Sequence, residues 1–371
     1  MKYYIIAGEA SGDWHGSLLM KEILNVDKQA QFRFWGGDLM LKYSQNIAKH
    51  YRQTAFMGLW EVLVNLKTIS QNIAFCKKDI SDFNPDALIF IDYPGFNLKI
   101  AKFTYKAGYK NFYYISPKLW AWKKGRIKQI KTYIHKMLCI FPFETDFYKN
   151  NGYTAYYVGN PTAFFISQYK KQNFDQNTFC ISNNLPQKQI VALLPGSRKQ
   201  EITRMLPIYA QIASQFKQYQ FVVAAMSSVD NTFYKNYQNL NYVYDQTYDL
   251  LRVSHAAIVT SGTATLETAL FEVPQVVCYS TSFFTYLVGS ILLTKIKFIS
   301  LVNIIMDKKV VEEIIQRNMK QRIVNELHNI LNNEKYYFEM KNNYQQLIGK
   351  LNSGNAPQNA AEIIYEHLVK K

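Results

Sequence analysis

The sequence predicts an α/β protein made of two consecutive doubly wound, parallel-sheet domains facing a central cleft. Three observations carry that expectation. The chain has 371 residues, more than one hydrophobic core usually organises. Short, wholly apolar runs alternate with longer stretches of helical periodicity, the pattern of repeated βα units. The alternation lapses at residues 166–188, rich in Gln, Asn and Lys, and then begins again.

In chain order, first-half strands are expected at 2–7, 31–35, 87–91, 111–115, 137–141 and 155–158. The first is followed by "GEASGDWHG", in which Gly8, Gly12 and Gly16 would turn the backbone into a helix starting near Gly16. Over 60–83, Val62, Leu63, Leu66, Ile69, Ile73, Phe75, Ile80 and Phe83 recur at near-helical spacing, and Asn84-Pro85 stops that helix. Residues 166–188 read as the linker between a domain at 1–165 and another at 189–344. Second-half strands are expected near 190–194, 220–225, 241–244, 256–259 and 275–279. The polar tail is helical in pattern, broken at Ser353-Gly354-Asn355-Ala356-Pro357 before a final helix near 358–369.

Composition excludes several classes. With 48% hydrophobic and 19% charged residues the chain is globular rather than disordered. Cys76, Cys139, Cys180 and Cys278 form no CxxC pair, and the six histidines are scattered, so neither a disulfide framework nor a bound metal is expected. The start lacks the basic and long apolar regions of a signal peptide, and the longest apolar stretch, Phe283 to Leu293, is too short to span a bilayer. A cytoplasmic protein is therefore expected. The net charge of +16 points to an anionic partner. Between Tyr93 and Phe143 there is no Asp or Glu, whereas Lys and Arg number eleven.

Four stretches could carry chemistry. In "DALIFIDYPGFN", Asp92 closes an apolar strand, fit for a general base facing the cleft or for an Asx-type cap of the next helix. In "VALLPGSRKQEI", Gly196 and Ser197 turn the chain and deliver Arg198 to the carboxyl ends of the second sheet, where its fork could engage a diphosphate or remain solvated. In "VTSGTATLETAL", Ser261, Gly262, Thr263 and Ala264 open a helix whose N-terminal amides suit phosphate, and Glu267 could accept two ribose hydroxyls; the same residue types also make an ordinary capping box. In "SPKLWAWKKGR", Trp120 and Trp122 beside Lys123, Lys124 and Arg126 fit a membrane interface, a single nucleic-acid strand or a solvated basic helix. Met57, Leu59 and Trp60 form a further apolar cluster, either core or one wall of a greasy groove.

"AGEASGD", "MGLWEVL", "IDYPGFN", "SPKLWAWKKGR", "GNP", "LLPGSRKQEI" and "SGTATLETAL", in this order along most of the chain, resemble the signature blocks of the lipid-A-disaccharide synthases. The resemblance implies an inverting glycosyltransferase of the GT-B fold, whose C-terminal helix, here 345–371, crosses back to the first domain. It implies that UDP-2,3-diacylglucosamine donates its sugar to the 6-hydroxyl of 2,3-diacylglucosamine 1-phosphate. The expected setting is the cytoplasmic face of the inner membrane of a Gram-negative bacterium, bound peripherally to anionic lipid, with no cofactor and no nucleic-acid partner. A homodimer through the C-terminal segment and a monomer held by its basic helix both fit.

Carried over by position, Asp92 matches the family's proposed base, with Glu9 as the other carboxylate that could serve. Gly8, Ser11, Gly12 and Asp13 match the acceptor-side loop. Arg198 matches the diphosphate arginine, and Gly262, Thr263 and Glu267 the diphosphate and ribose block. Two departures stand out. "SLVNIIMDKKVVEE" keeps Asn303, the expected sugar contact, but lacks two prolines common in the family, and "GNP" has Asn160 where His is common. Another UDP-sugar transferase or epimerase of the same fold would not need the Trp-Lys surface. A nucleic-acid binder would leave Asp92 and the "PGSR" turn without work.

Overall fold

Apolar runs too short for helices, recurring between helical segments, assemble into two all-parallel sheets. The computed structural model describes residues 1–53, 66–118, 124–234, 237, 239–260, 262–279, 297–315, 318–352 and 354–370. The chain divides into two units: Met1–Phe164 with Leu351–Lys371, and Phe165–Lys350.

Among the described residues the first unit holds β1 (Lys2–Ala7), β2 (Gln31–Gly36), β3 (Ile47–His50), β4 (Ala87–Ile91), β5 (Lys110–Tyr114), β6 (Lys136–Cys139) and β7 (Ala155–Tyr157), in the order β3-β2-β1-β4-β5-β6-β7. The second holds β8 (Ile190–Leu194), β9 (Gln220–Ala225), β10 (Asn241–Tyr244), β11 (Ser254–Thr260), β12 (Gln275–Tyr279) and β13 (Glu313–Ile315), in the order β10-β9-β8-β11-β12-β13. The helices that matter below are α1 (Ala10–Val26), α2 (Leu66–Phe83), α3 (Pro94–Lys106), α4 (Ile127–Tyr133), α5 (Pro142–Asn150), α6 (Pro161–Tyr169), α7 (Gln176–Ser182), α8 (Lys199–Ala213), α9 (Thr247–Val253), α10 (Thr263–Leu270), α11 (Leu301–Met306), α12 (Met319–Asn332), α13 (Glu334–Leu351) and α14 (Ala356–Val369).

Side-chain alternation splits the first core. Tyr4, Ile6, Leu88, Phe90, Tyr113 and Met137 pack with residues of α2 to α5 on one face. On the other face α14 lies against α1. Asn355 donates to Glu22 at 3.2 Å, Asn359 donates to the Val158 carbonyl at 2.9 Å, and the rings of Phe112 and His367 meet edge to face at 5.4 Å. The final helix is thereby built into the first unit.

Three expectations need correction. The helix after β1 begins at Ala10, six residues before Gly16, so Gly12 and Gly16 lie inside it. A Cβ on Gly12 would approach that of Ala7 to 3.1 Å, and one on Gly16 would meet the sulfur of Met40 at 2.6 Å. These glycines serve close helix packing, not a loop. Residues 166–188 are not an irregular linker: they contain the end of α6 and all of α7. The Tyr169 hydroxyl donates to Asp249 at 2.8 Å and Lys170 pairs with Glu272 at 2.7 Å, which ties the segment into the second unit. Two edge strands, β3 and β13, were not expected, because neither is a wholly buried apolar run.

In each sheet the strand order reverses at one place, between β1 and β4 and between β8 and β11. Connections leave for opposite faces there, opening a crevice at the carboxyl ends of the strands. Ala7 pairs with Ile91 and Leu194 with Val259, so the segments starting at Gly8, Asp92, Pro195 and Thr260 flank the two reversal points.

Candidate functional site

At the first reversal point the backbone is forced into an uncommon shape. Asp92 and Tyr93 both have left-handed φ, 44° and 48°, a conformation that costs non-glycine residues about 1 kcal/mol or more each. The strain is held by hydrogen bonds. Asn97 donates from Nδ2 to the Asp92 carbonyl at 2.8 Å, and the Tyr113 hydroxyl donates to the same oxygen. The Tyr93 ring stacks on Phe96 at 5.5 Å and lies over Gly8, where any Cβ would collide with it. Gly8 is therefore required by Tyr93, and Asn97 and Tyr113 are positioning residues that the sequence reading did not single out.

The result is an Asp92 carboxylate presented off the end of β4. Its side chain reaches solvent, yet the surrounding protein is dense enough that lost hydration raises its carboxyl to about 6. Lys118 opposes that rise, the charge of Glu9 adds to it, and a backbone hydrogen bond at Tyr93 opposes it. Glu9 stands at the N-terminus of α1, exposed and making no capping bond, where the helix dipole favours its charge. Ser11 is exposed in the same first turn, and Gly12 is buried beneath it. A carboxylate ionised at neutral pH but more basic than usual has the profile of a general base.

Asp13 does something else. It is 3% exposed, and its two oxygens accept the backbone N–H groups of Gly37 at 2.7 Å, Leu39 at 3.0 Å and Met40 at 3.1 Å. This carboxylate fixes the turn after β2. The expected acceptor-side role of Asp13 is corrected: both of its oxygens are engaged by these amides.

At the second reversal point a cavity of about 440 Å³ is lined by Pro195, Gly196, Ser197, Arg198, Gly262, Thr263, Ala264 and Glu267, with Glu201, Thr247 and Tyr279 among the others. That is a volume suited to a nucleotide. Gly196 has φ 98°, and a Cβ there would strike the Glu201 carboxylate. Glu201 Oε2 accepts the N–H of Arg198 at 3.3 Å, closing the turn, while the Arg198 side chain is 71% exposed with its guanidinium 3.9 Å from Glu201. Glu201 is a turn-holding residue that the sequence reading passed over. Behind Gly262, Thr265 Oγ1 donates to the Gly262 carbonyl at 2.9 Å and so steadies the start of α10. Glu267 is raised above the usual carboxylate range by burial, a rise that its hydrogen bond from Tyr248 opposes. An exposed guanidinium, a helix N-terminus and a carboxylate around one cavity can take a diphosphate and a diol together.

Asn303 is likewise corrected. It is 1% exposed, its Oδ1 accepts from the Val310 and Val311 amides at 2.7 and 3.0 Å, and its Nδ2 donates to the Val311 carbonyl and Glu313 at 3.0 and 2.9 Å. All four of its hydrogen-bonding positions are used in closing the segment between α11 and β13, which leaves none for a sugar. Met57, Leu59, Trp60, Trp120, Trp122, Lys123 and Ser261 lie outside the described residues, as do the Phe283 to Leu293 stretch and the side chain of Lys124. Arg126 is half-buried at the start of α4. Among the described residues no helix is long and apolar enough to cross a membrane.

Known proteins match this description. The family model described as "Lipid-A-disaccharide synthetase" matches residues 3–364. The lipid-A-disaccharide synthase of Geobacter metallireducens is 36% identical over 377 residues, covering 99% of this chain and 97% of that one. Among solved structures, the glycosyltransferase of kitacinnamycin superposes with a TM-score of 0.68 at 10% identity, over 99% of each chain. The UDP-GlcNAc 2-epimerase of Neisseria meningitidis, bound to UDP-GlcNAc, does so with a TM-score of 0.61 at 13% identity over the full length of both. These two likenesses show the GT-B fold.

Proposed function

The chain belongs to the lipid-A-disaccharide synthetase family, UDP-sugar-using glycosyltransferases of lipid A biosynthesis, and on that premise we propose the substrates and residue roles of its reaction. The donor is UDP-2,3-diacylglucosamine and the acceptor 2,3-diacylglucosamine 1-phosphate. UDP occupies the 440 Å³ cavity, with Arg198 and the first amides of α10 on the diphosphate and Glu267 on the ribose diol. Ser197 adds a hydroxyl at the same turn.

Asp92 accepts the proton of the acceptor's 6-hydroxyl as that oxygen attacks the anomeric carbon of the donor. The new carbon–oxygen bond forms as the bond to the diphosphate breaks from the opposite face, so the configuration inverts and UDP leaves. Its departing charge meets Arg198 and the α10 N-terminus. Glu9 keeps the basicity of Asp92 high through its own charge. The observation that carries this reading is the placement of both sets of residues at the strand-order reversals of their sheets, with a carboxylate at one and a cationic, amide-lined cavity at the other.

The exposed Lys99, Lys102 and Lys106 of α3 and Lys128 and Lys131 of α4 support peripheral attachment to anionic lipid on the cytoplasmic face of the inner membrane. Each such residue near the surface contributes about 1 kcal/mol. The test of the reading is incubation of the purified protein with both lipids, followed by product mass. A β-1,6-linked disaccharide 1-phosphate with stoichiometric UDP is expected, and only when both lipids are present. UDP-sugar consumed without acceptor, or an epimerised sugar, would overturn it.

A further inference from the structure

The carboxyl group of a glutamate turns freely about its last torsion, so one that must receive two ribose hydroxyls needs something to fix its plane. We propose that Tyr248 is the positioning residue for Glu267, its hydroxyl pinning Oε1 at 2.8 Å so that the carboxylate is held ready for the ribose diol. This rests on the reading of the cavity as the UDP site. Glu267 lines that cavity and Tyr248 does not, so the phenol acts from behind the carboxylate.

Tyr248 is itself immobilised. Its ring packs edge to face on Tyr169 at 5.4 Å and against Phe271 and Phe165 at 5.3 and 6.0 Å. Tyr169 is in turn anchored to Asp249 at 2.8 Å, with the Arg252 guanidinium 4.7 Å from its ring centre. Burial and the charge of Glu267 push the phenol's pKa upward, so it remains a donor and the direction of the bond is fixed. Burial raises the Glu267 carboxyl and the bond from Tyr248 opposes that rise, so the phenol favours the acceptor-only form that two hydroxyl donors require. No motif carries Tyr248. Its role appears only when α9 is packed beside α10.

The test measures ribose discrimination. UDP and 2′,3′-dideoxy-UDP are titrated calorimetrically into the wild-type protein, Tyr248→Phe, Glu267→Gln and the double variant. The wild type should prefer UDP by about 10- to 100-fold, the range expected of hydrogen bonds to a charged group. Tyr248→Phe should narrow that preference about fivefold by weakening UDP, with the affinity for the dideoxy analogue kept within about twofold. In the Glu267→Gln background the same change should narrow it no further. Equal weakening of both ligands, or an unchanged preference, would overturn the role of Tyr248 while leaving the UDP site intact. A wild-type protein that binds UDP but ignores its ribose hydroxyls would overturn the assignment of Glu267, and one that binds no UDP would overturn the reading of the cavity.

Discussion

Acidifying the enzyme through pH 6 should remove its activity by protonating one carboxylate, Asp92. With its carboxyl raised to about 6, Asp92 is about nine-tenths ionised at pH 7 and about one-tenth at pH 5. The acidic limb of kcat/KM should accordingly fall about tenfold per pH unit below 6, where a carboxylate of ordinary acidity would show its break near 4. The neighbouring charges give the sign of two further shifts. Lys118→Met removes the cation that stabilises the carboxylate and should move the limb to higher pH, whereas Glu9→Gln removes an anion and should move it lower. Burial is the largest cause, so neither variant should bring the break down to 4.

Stability follows with the opposite sign to the usual paired aspartate. The folded protein binds this proton more tightly than the unfolded chain, so stability is lost as pH rises from about 4 through 6 and stays lower above. Asp92→Asn should therefore melt higher than the wild type at pH 8, with the difference vanishing below pH 4. The assay is the initial rate of UDP release at subsaturating donor, from pH 4.5 to 9, for the wild type, Lys118→Met and Glu9→Gln. A limb near 4, or a shift in the same direction for both variants, would refute the reasoning.

Three further outcomes follow from the same geometry. Arg198→Ala should weaken UDP by about 10- to 100-fold in calorimetry, and Arg198→Lys should restore only part of the loss because its ammonium lacks the planar fork. Asn303→Ala strips four hydrogen bonds from a buried segment and should lower stability by about 2–4 kcal/mol in urea unfolding; unchanged stability with weaker donor binding would return Asn303 to the sugar site. Asp13→Ala leaves three amides without their carboxylate and should destabilise by a similar amount, about 2–4 kcal/mol; unchanged stability with acceptor binding lost would reverse that assignment.

What could be read from the chain was what depends on local pattern. The central strands were legible because β4, β8 and, after Gln220, β9 are buried on both faces and appear as unbroken apolar runs. The half-buried edges β3 and β13 carry no such run. Arg198 stood out because it lies just past the end of β8, and Glu267 because it sits in the helix that opens directly after β11, where parallel sheets open. The role of Asp13 was not legible, since its partners, Gly37 to Met40, lie 24 to 27 residues away and only the fold brings them near. The glycines of α1 misled for a related reason: a glycine needed for helix packing and one needed for a turn look alike in a linear sequence. Tyr248 and Asn97 act through other residues, and their partners become visible only once α10 and the end of β4 are in place.

The central claim is a division of labour, with chemistry at the end of β4 and nucleotide binding at the start of α10. Asp92→Asn tests it on one preparation measured in two ways, by turnover at saturating substrates and by UDP affinity. Turnover should fall at least about a hundredfold while the UDP Kd stays within about twofold. A collapse of UDP affinity, or turnover near that of the wild type, would contradict it.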